Sequence, residues 1–156
     1  MSGSGSIGLV ERRLNNLEDL RAFVREIARF QPPRLIILLH GPMGVGKTQF
    51  SKFLLEDLGT HEAVSPSFAL HNSYMTASRG EVDHLDLYRL ENADDLESTG
   101  FWDLFEKDEG LVIIEWPERL IEFGVMQDLP RTWFKVNITM WFEENTQARI
   151  VRAEQF

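Results

Sequence analysis

Apolar residues at Leu17, Leu20, Phe23, Val24 and Ile27 recur at the spacing of a helix that buries one face. Asn16 stands at its N-cap position, and Asp19 follows three residues on as a short-armed form of the capping box. Pro32-Pro33 ends the helix. Leu35–Leu39 then runs apolar without alternation, which predicts a strand covered on both faces. Beyond Gly41–Thr48, the positions Phe50, Phe53, Leu54, Leu55 and Leu58 predict a second amphipathic helix, closed by Gly59. Strand, glycine loop, helix is the entry unit of an α/β domain.

The middle of the chain reads as strands. Phe68–Tyr74 and Glu81–Tyr88 flank a polar turn around Ser78-Arg79-Gly80, a hairpin pattern. Asn92 is placed to cap a helix over 93–98, with Asp94 and Asp95 in its first turn. Gly100 separates that helix from Phe101–Phe105. Leu111–Ile114 predicts a second buried strand, stopped by Pro117, and residues 132–142 and 147–154 predict a closing hairpin. The expected fold is α/β, a P-loop NTPase-type three-layer sandwich with a mixed, largely parallel central sheet and antiparallel additions. Residues 9–156 form one domain behind a Gly/Ser-rich flexible tail over 1–8.

A length of 156 residues supports one core without staples. The absence of cysteine excludes disulfides, thiolate nucleophiles and iron–sulfur clusters. The longest apolar runs fall far short of the roughly 20 residues of a spanning helix, and no signal-peptide pattern opens the chain. The expectation is a cytoplasmic protein with no membrane partner. The net charge of -9 argues against gripping nucleic acid alone. All of it lies between Glu81 and Glu109, where eleven acids meet Arg89 and Lys107; the remainder is neutral.

Candidate chemistry centres on Gly41-Pro-Met-Gly-Val-Gly-Lys-Thr48, which matches the P-loop pattern. In that pattern Gly41, Gly44, Val45 and Gly46 turn backbone N–H groups toward a β-phosphate, and only small residues allow such close approach. Lys47 reaches the β- and γ-phosphates, and the Thr48 hydroxyl ligates Mg²⁺. A magnesium site also needs a carboxylate at a neighbouring strand end. Glu115, after four apolar residues, has the Walker B arrangement. Asp86 in His84-Leu-Asp86 is the second candidate, left open between a site carboxylate and a surface acid of the belt. His84 reads as a packed or hydrogen-bonded histidine rather than a catalyst. Ser65-Pro-Ser67 sits where nucleotide-sensing loops occur and reads equally as a plain turn, and Trp116 adjoins Glu115 as core packing, a gate or a partner contact.

Taken in order, Gly41–Thr48, Ser65-Pro-Ser-Phe68, His84-Leu-Asp-Leu-Tyr-Arg-Leu90 and Ile114-Glu-Trp-Pro-Glu-Arg119 resemble the bacterial TsaE (YjeE) family. The resemblance implies a Mg-dependent ATPase, binding ATP and Mg²⁺, needed to form threonylcarbamoyladenosine in tRNA. It implies action on a TsaB–TsaD complex, with TsaC in the same pathway and tRNA contacted only indirectly. By position, Lys47 and Thr48 match the P-loop pair, Thr48 and Glu115 the Mg²⁺ ligands, Asp86 the catalytic aspartate and Trp116 the functional tryptophan. Hydrolysis is expected to be slow alone and partner-stimulated. Pro42-Met43 replace the family's Asp-Leu, and Gln49 replaces a second Thr while keeping its backbone N–H for the α-phosphate. Ser67 keeps the hydroxyl of a usual Thr, the family's adenine-side Thr near Leu20 is missing, and Arg149 is a further candidate near the nucleotide. Two rival readings share the loop: a small-molecule or nucleoside kinase, and a nucleotide-dependent adaptor with little turnover. After the loop the arginines are scattered, without a compact lid motif for a kinase.

Overall fold

The computed structural model describes residues 7–60 and 70–156. Its strands are β1 (Leu9–Leu14), β2 (Arg34–His40), β3 (His71–Thr76), β4 (Gly80–Asp86), β5 (Gly110–Glu115), β6 (Phe134–Phe142) and β7 (Arg149–Gln155). The helices are α1 (Leu17–Ala28), α2 (Lys47–Asp57), α3 (Ala93–Ser98) and α4 (Glu118–Glu122), with 3₁₀ turns at Phe101–Glu106 and Met126–Asp128. One sheet carries all seven strands in the order β1-β7-β6-β2-β5-β4-β3. β6, β2, β5 and β4 run parallel, and β7, β1 and β3 add antiparallel edges. This is the mixed α/β sheet that the sequence predicts.

The run Leu35–Leu39 is apolar at every position because β2 is covered on both sides. Leu35, Ile37 and Leu39 face one core with Phe23 and Val24 of α1 and Phe50 and Leu54 of α2. Ile36 and Leu38 face a second core with Leu96 of α3, Phe101 and Trp133. Truncating any of these side chains to alanine removes transfer energy and opens a cavity, about 2–5 kcal/mol per site.

Local rules account for the first helix. Asn16 is extended and its side-chain oxygen accepts the Asp19 backbone N–H at 2.9 Å. Asp19 reaches back to the backbone N–H of Asn15, one residue short of the usual capping-box partner. Asn92 caps α3 in the same way, through Asp95. The structure differs from expectation at the front of the sheet. β1 precedes α1 and pairs with β7, and the ladder extends to a Gln155 N–H bond to the Gly8 carbonyl. Its Glu11, Arg12 and Arg13 are exposed charges of an edge strand, which break the apolar alternation. Among the described residues no helix is long and apolar enough to cross a membrane.

The acidic segment does not behave as one surface. Glu91, Asp94, Glu97, Asp103, Glu106, Asp108 and Glu109 are exposed, whereas Asp83 is buried and Asp86 half-buried.

Candidate functional site

The C-terminal ends of the parallel strands set the site. Leu39 of β2 pairs with Glu115 of β5, and Glu115 pairs with Asp86 of β4. Residues that pair directly point to the same face, so both carboxylates lie on the α2 side, where β2 leads through the glycine loop into α2. A backbone bond from Leu87 N–H to the Glu115 carbonyl, 3.1 Å, holds the two strand ends together. The resulting cleft, about 380 Å³, is lined by Met43, Gly44, Gly46, Lys47, Thr48, Gln49, Asp86, Tyr88, Glu115 and Trp116.

The loop backbone requires glycine at its ends. A Cβ at Gly41 (φ +147) would sit 2.6 Å from the Met140 carbonyl oxygen, and Gly46 (φ +124) is equally closed to ordinary residues. Gly46 caps α2 without a side-chain hydrogen bond. The first backbone N–H groups of α2 are therefore open to an anion, and the helix dipole favours one. Val45 is buried among the α1 and α2 side chains and anchors the loop to the core.

Lys47 is buried. Its Nζ donates to the Gly41 carbonyl at 2.6 Å and lies 3.5 Å from the centroid of the Trp116 ring. Burial pushes its ammonium below the ordinary lysine value, against the attraction of Glu118, Glu115 and Asp86. Three carboxylates around one desolvated cation form a site with charge to offer an anion and a metal together.

Asp86 accepts the Tyr88 backbone N–H at 3.0 Å. Burial pushes its carboxyl above the ordinary aspartate value and Glu115 adds to that, while Tyr88 N–H, His84 and Lys47 oppose. Thr48 is exposed at the start of α2. Hydroxyl and carboxylate oxygens on Thr48, Glu115 and Asp86 are the hard donors that suit a magnesium ion shared with phosphate oxygens.

Trp116 has φ +59, a left-handed backbone rare for a bulky residue, and such strain concentrates at functional sites. Its ring packs on Tyr88 at 4.9 Å between centroids, and the Arg119 guanidinium donates to the Tyr88 carbonyl at 2.9 Å. A second groove, about 240 Å³, lies on the other side of the loop, lined by Leu14, Asn16, Leu17, Leu20, Val45, Gly46, Gln49, Met140 and Arg149. Gly46 and Gln49 line both hollows, one with acidic side chains and one largely apolar.

The structure gathers Gly44, Gly46, Lys47, Thr48, Gln49, Asp86, Glu115 and Trp116 in one cleft, with Gly41 beside Lys47. Ser65 and Ser67 lie outside the described residues. Sequence reasoning passed over His84, whose Nε2 bonds Glu115 Oε2 at 2.6 Å with both side chains buried. It also passed over Glu118, 3.6 Å from His40 Nδ1 and the strongest carboxylate influence on Lys47. Period two already placed His84 on the face of Asp86, but its partner is 31 residues away.

Comparison with known proteins bears on the family and the fold. The model of the family described as threonylcarbamoyl adenosine biosynthesis protein TsaE matches residues 14–150. A tRNA threonylcarbamoyladenosine biosynthesis protein TsaE from Nostoc is 40% identical over 118 residues, 74% of this chain and 68% of that protein. The TsaE protein of Aquifex aeolicus is 38% identical over 114 residues, 71% of this chain and 79% of its own. The crystal structure of Bacillus subtilis YdiB superposes with a TM-score of 0.69 at 24% identity, covering 96% of this chain and 87% of that one, which speaks for the fold. With its matching family model and its relatives in hand, the chain belongs to the TsaE family of tRNA threonylcarbamoyladenosine biosynthesis proteins.

Proposed function

We propose that this chain is a Mg-dependent ATPase that supports threonylcarbamoylation of tRNA by acting on a TsaB–TsaD complex. One observation carries the reading: a glycine loop with Lys47 and Thr48 opens onto the same cleft as Asp86 and Glu115, paired at adjacent strand ends. The open N–H groups of the loop and α2 receive the phosphates, and Lys47 turns from the Gly41 carbonyl to meet their charge. Thr48 and Glu115 would hold Mg²⁺, which would supply positive charge to the phosphoryl oxygens. Asp86 lies beside Glu115 and holds or deprotonates the attacking water. Its raised carboxyl makes it a better base than an exposed aspartate. The largely apolar groove at Leu17, Leu20 and Met140 takes the base, with Arg149 and Gln49 at its polar wall. The exposed acids of α3 and the following turn offer a face to a basic protein surface rather than to tRNA.

The deciding experiment has two arms. ATP hydrolysis is measured with Mg²⁺ or with chelator, and repeated rounds of tRNA modification by TsaB–TsaD are followed with the protein present or withheld. Mg²⁺-dependent hydrolysis that rises with TsaB–TsaD, and modification that stops after one round without the protein, is the expected result. Transfer of the γ-phosphoryl to a small acceptor, or binding without turnover under every condition, would overturn it.

A further inference from the structure

We propose that His84 is a positioning residue for Glu115, tying down one carboxylate oxygen so that the other faces the metal. The inference rests on the reading of Glu115 as a magnesium ligand. His84 and Asp86 lie on one face of β4, and Glu115 stands opposite Asp86 on β5, so His84 meets Glu115 diagonally across the parallel pair. The ring is 1% exposed and Glu115 3% exposed. At 2.6 Å the bond between Nε2 and Oε2 is the short contact of a charge-assisted pair.

Hydrogen accounting fixes the direction of that bond. His84 Nδ1 is buried with no partner among the described residues. A carboxylate oxygen accepts, so the ring donates from Nε2 to Oε2. Glu115 lines the cleft, and its Oε1 accepts no hydrogen bond from the described residues, so this oxygen is the one left for a ligand. Leu39 and Asp86 flank Glu115 on the neighbouring strands, and among the described residues His84 is the donor that reaches its carboxylate and sets its rotamer. Metal ligands held by such outer hydrogen bonds lose about 10–100-fold in metal affinity when the partner is removed.

The test measures affinity for a non-hydrolysable ATP analogue with and without Mg²⁺ by calorimetry, on the full chain, together with the melting temperature. His84→Leu removes the donor at similar size, and His84→Asn keeps a polar group that stops short of Oε2. His84→Gln places an amide N–H near the position of Nε2. Expected is a loss of about 10–100-fold in the Mg²⁺-dependent gain for Leu and Asn. Mg²⁺-free affinity stays at the parent value, and Gln recovers most of the gain. If Leu does not fold, the contrast of Asn with Gln decides. A role confined to the fold would lower the melting temperature of Leu and Asn yet leave the Mg²⁺-dependent gain intact, and that result overturns the inference. Gln no better than Asn also overturns it. Glu115→Gln separates the two levels. If it keeps the full gain, the reading of Glu115 as ligand falls, and this inference with it. If it loses the gain while Leu and Asn keep it, the role of His84 alone falls.

Discussion

Two carboxylates of strand β4, Asp83 and Asp86, look out on opposite faces of the sheet, and Glu115 of β5 stands beside Asp86. Asp83, on the side of α3, is buried and accepts from Ser73 Oγ at 2.7 Å, His71 Nε2 at 2.7 Å and Lys107 Nζ at 2.8 Å. Burial alone would raise its carboxyl, but the donors from Lys107, Ser73 and His71 outweigh it and hold the group below the ordinary aspartate value. On the α2 side, Asp86 has one backbone donor and Glu115 one imidazole, and Asp86 is pushed the other way. A carboxylate that fastens the fold is saturated by its neighbours. One that serves a ligand is left short of partners, and its neighbourhood carries the cost.

The largest break in this comparison comes from the cation of the unsaturated side. Lys47→Ala leaves Asp86, Glu115 and Glu118 without their counter-charge and the phosphates without theirs. Hydrolysis should fall by about 10²–10³-fold, read in a steady-state phosphate-release assay, while circular dichroism stays that of the parent. On the saturated side the effect moves to stability. Asp83→Ala strands three donors, and chemical denaturation should show a loss of about 2–3 kcal/mol with nucleotide affinity unchanged. The same residue sets an acid limit. Because its folded value is depressed, its stabilisation is complete above the ordinary 3.8 and drains away as pH falls through the lower folded value. Melting curves of Asp83→Asn should therefore respond less to pH below 3.8 than those of the parent. The smallest change in stability belongs to Asp86→Asn. Removing a carboxylate that burial disfavours should shift stability by less than about 1 kcal/mol, in the upward direction, while turnover drops. A stability loss as large as that of Asp83→Ala would erase the distinction between the two sides.

This comparison also marks how far the sequence could be read. Leu35–Leu39, the α1 stripe and the loop at Gly41–Thr48 are legible because their rules are local: burial on both faces, a period of 3.6, a fixed phosphate cradle. Glu115 is legible because four apolar residues lead straight to it. What stayed hidden depends on partners distant in the chain. Asp83 looks like one more acid of a charged stretch until Ser73, His71 and Lys107 are folded around it. His84 reads as packed or hydrogen-bonded without a visible partner, because Glu115 is 31 residues away. The left-handed backbone of Trp116 has no local signature at all, since nothing in Glu115-Trp116-Pro117 demands φ above zero. β1 is masked by its own charges, which suit an edge strand and erase the alternation that would reveal it.

The place of β2 in the sheet has a kinetic consequence. It is hydrogen-bonded along its length by β5 on one side and β6 on the other, while β1 and β3 each have one neighbour. Edge strands can peel and exchange their amide hydrogens through local opening, but β2 can release its amides only when the sheet comes apart. The glycine loop therefore springs from an interior strand, paired on both sides, rather than from an edge. Both walls of the cleft are thus anchored to a strand whose amides open only with the sheet itself.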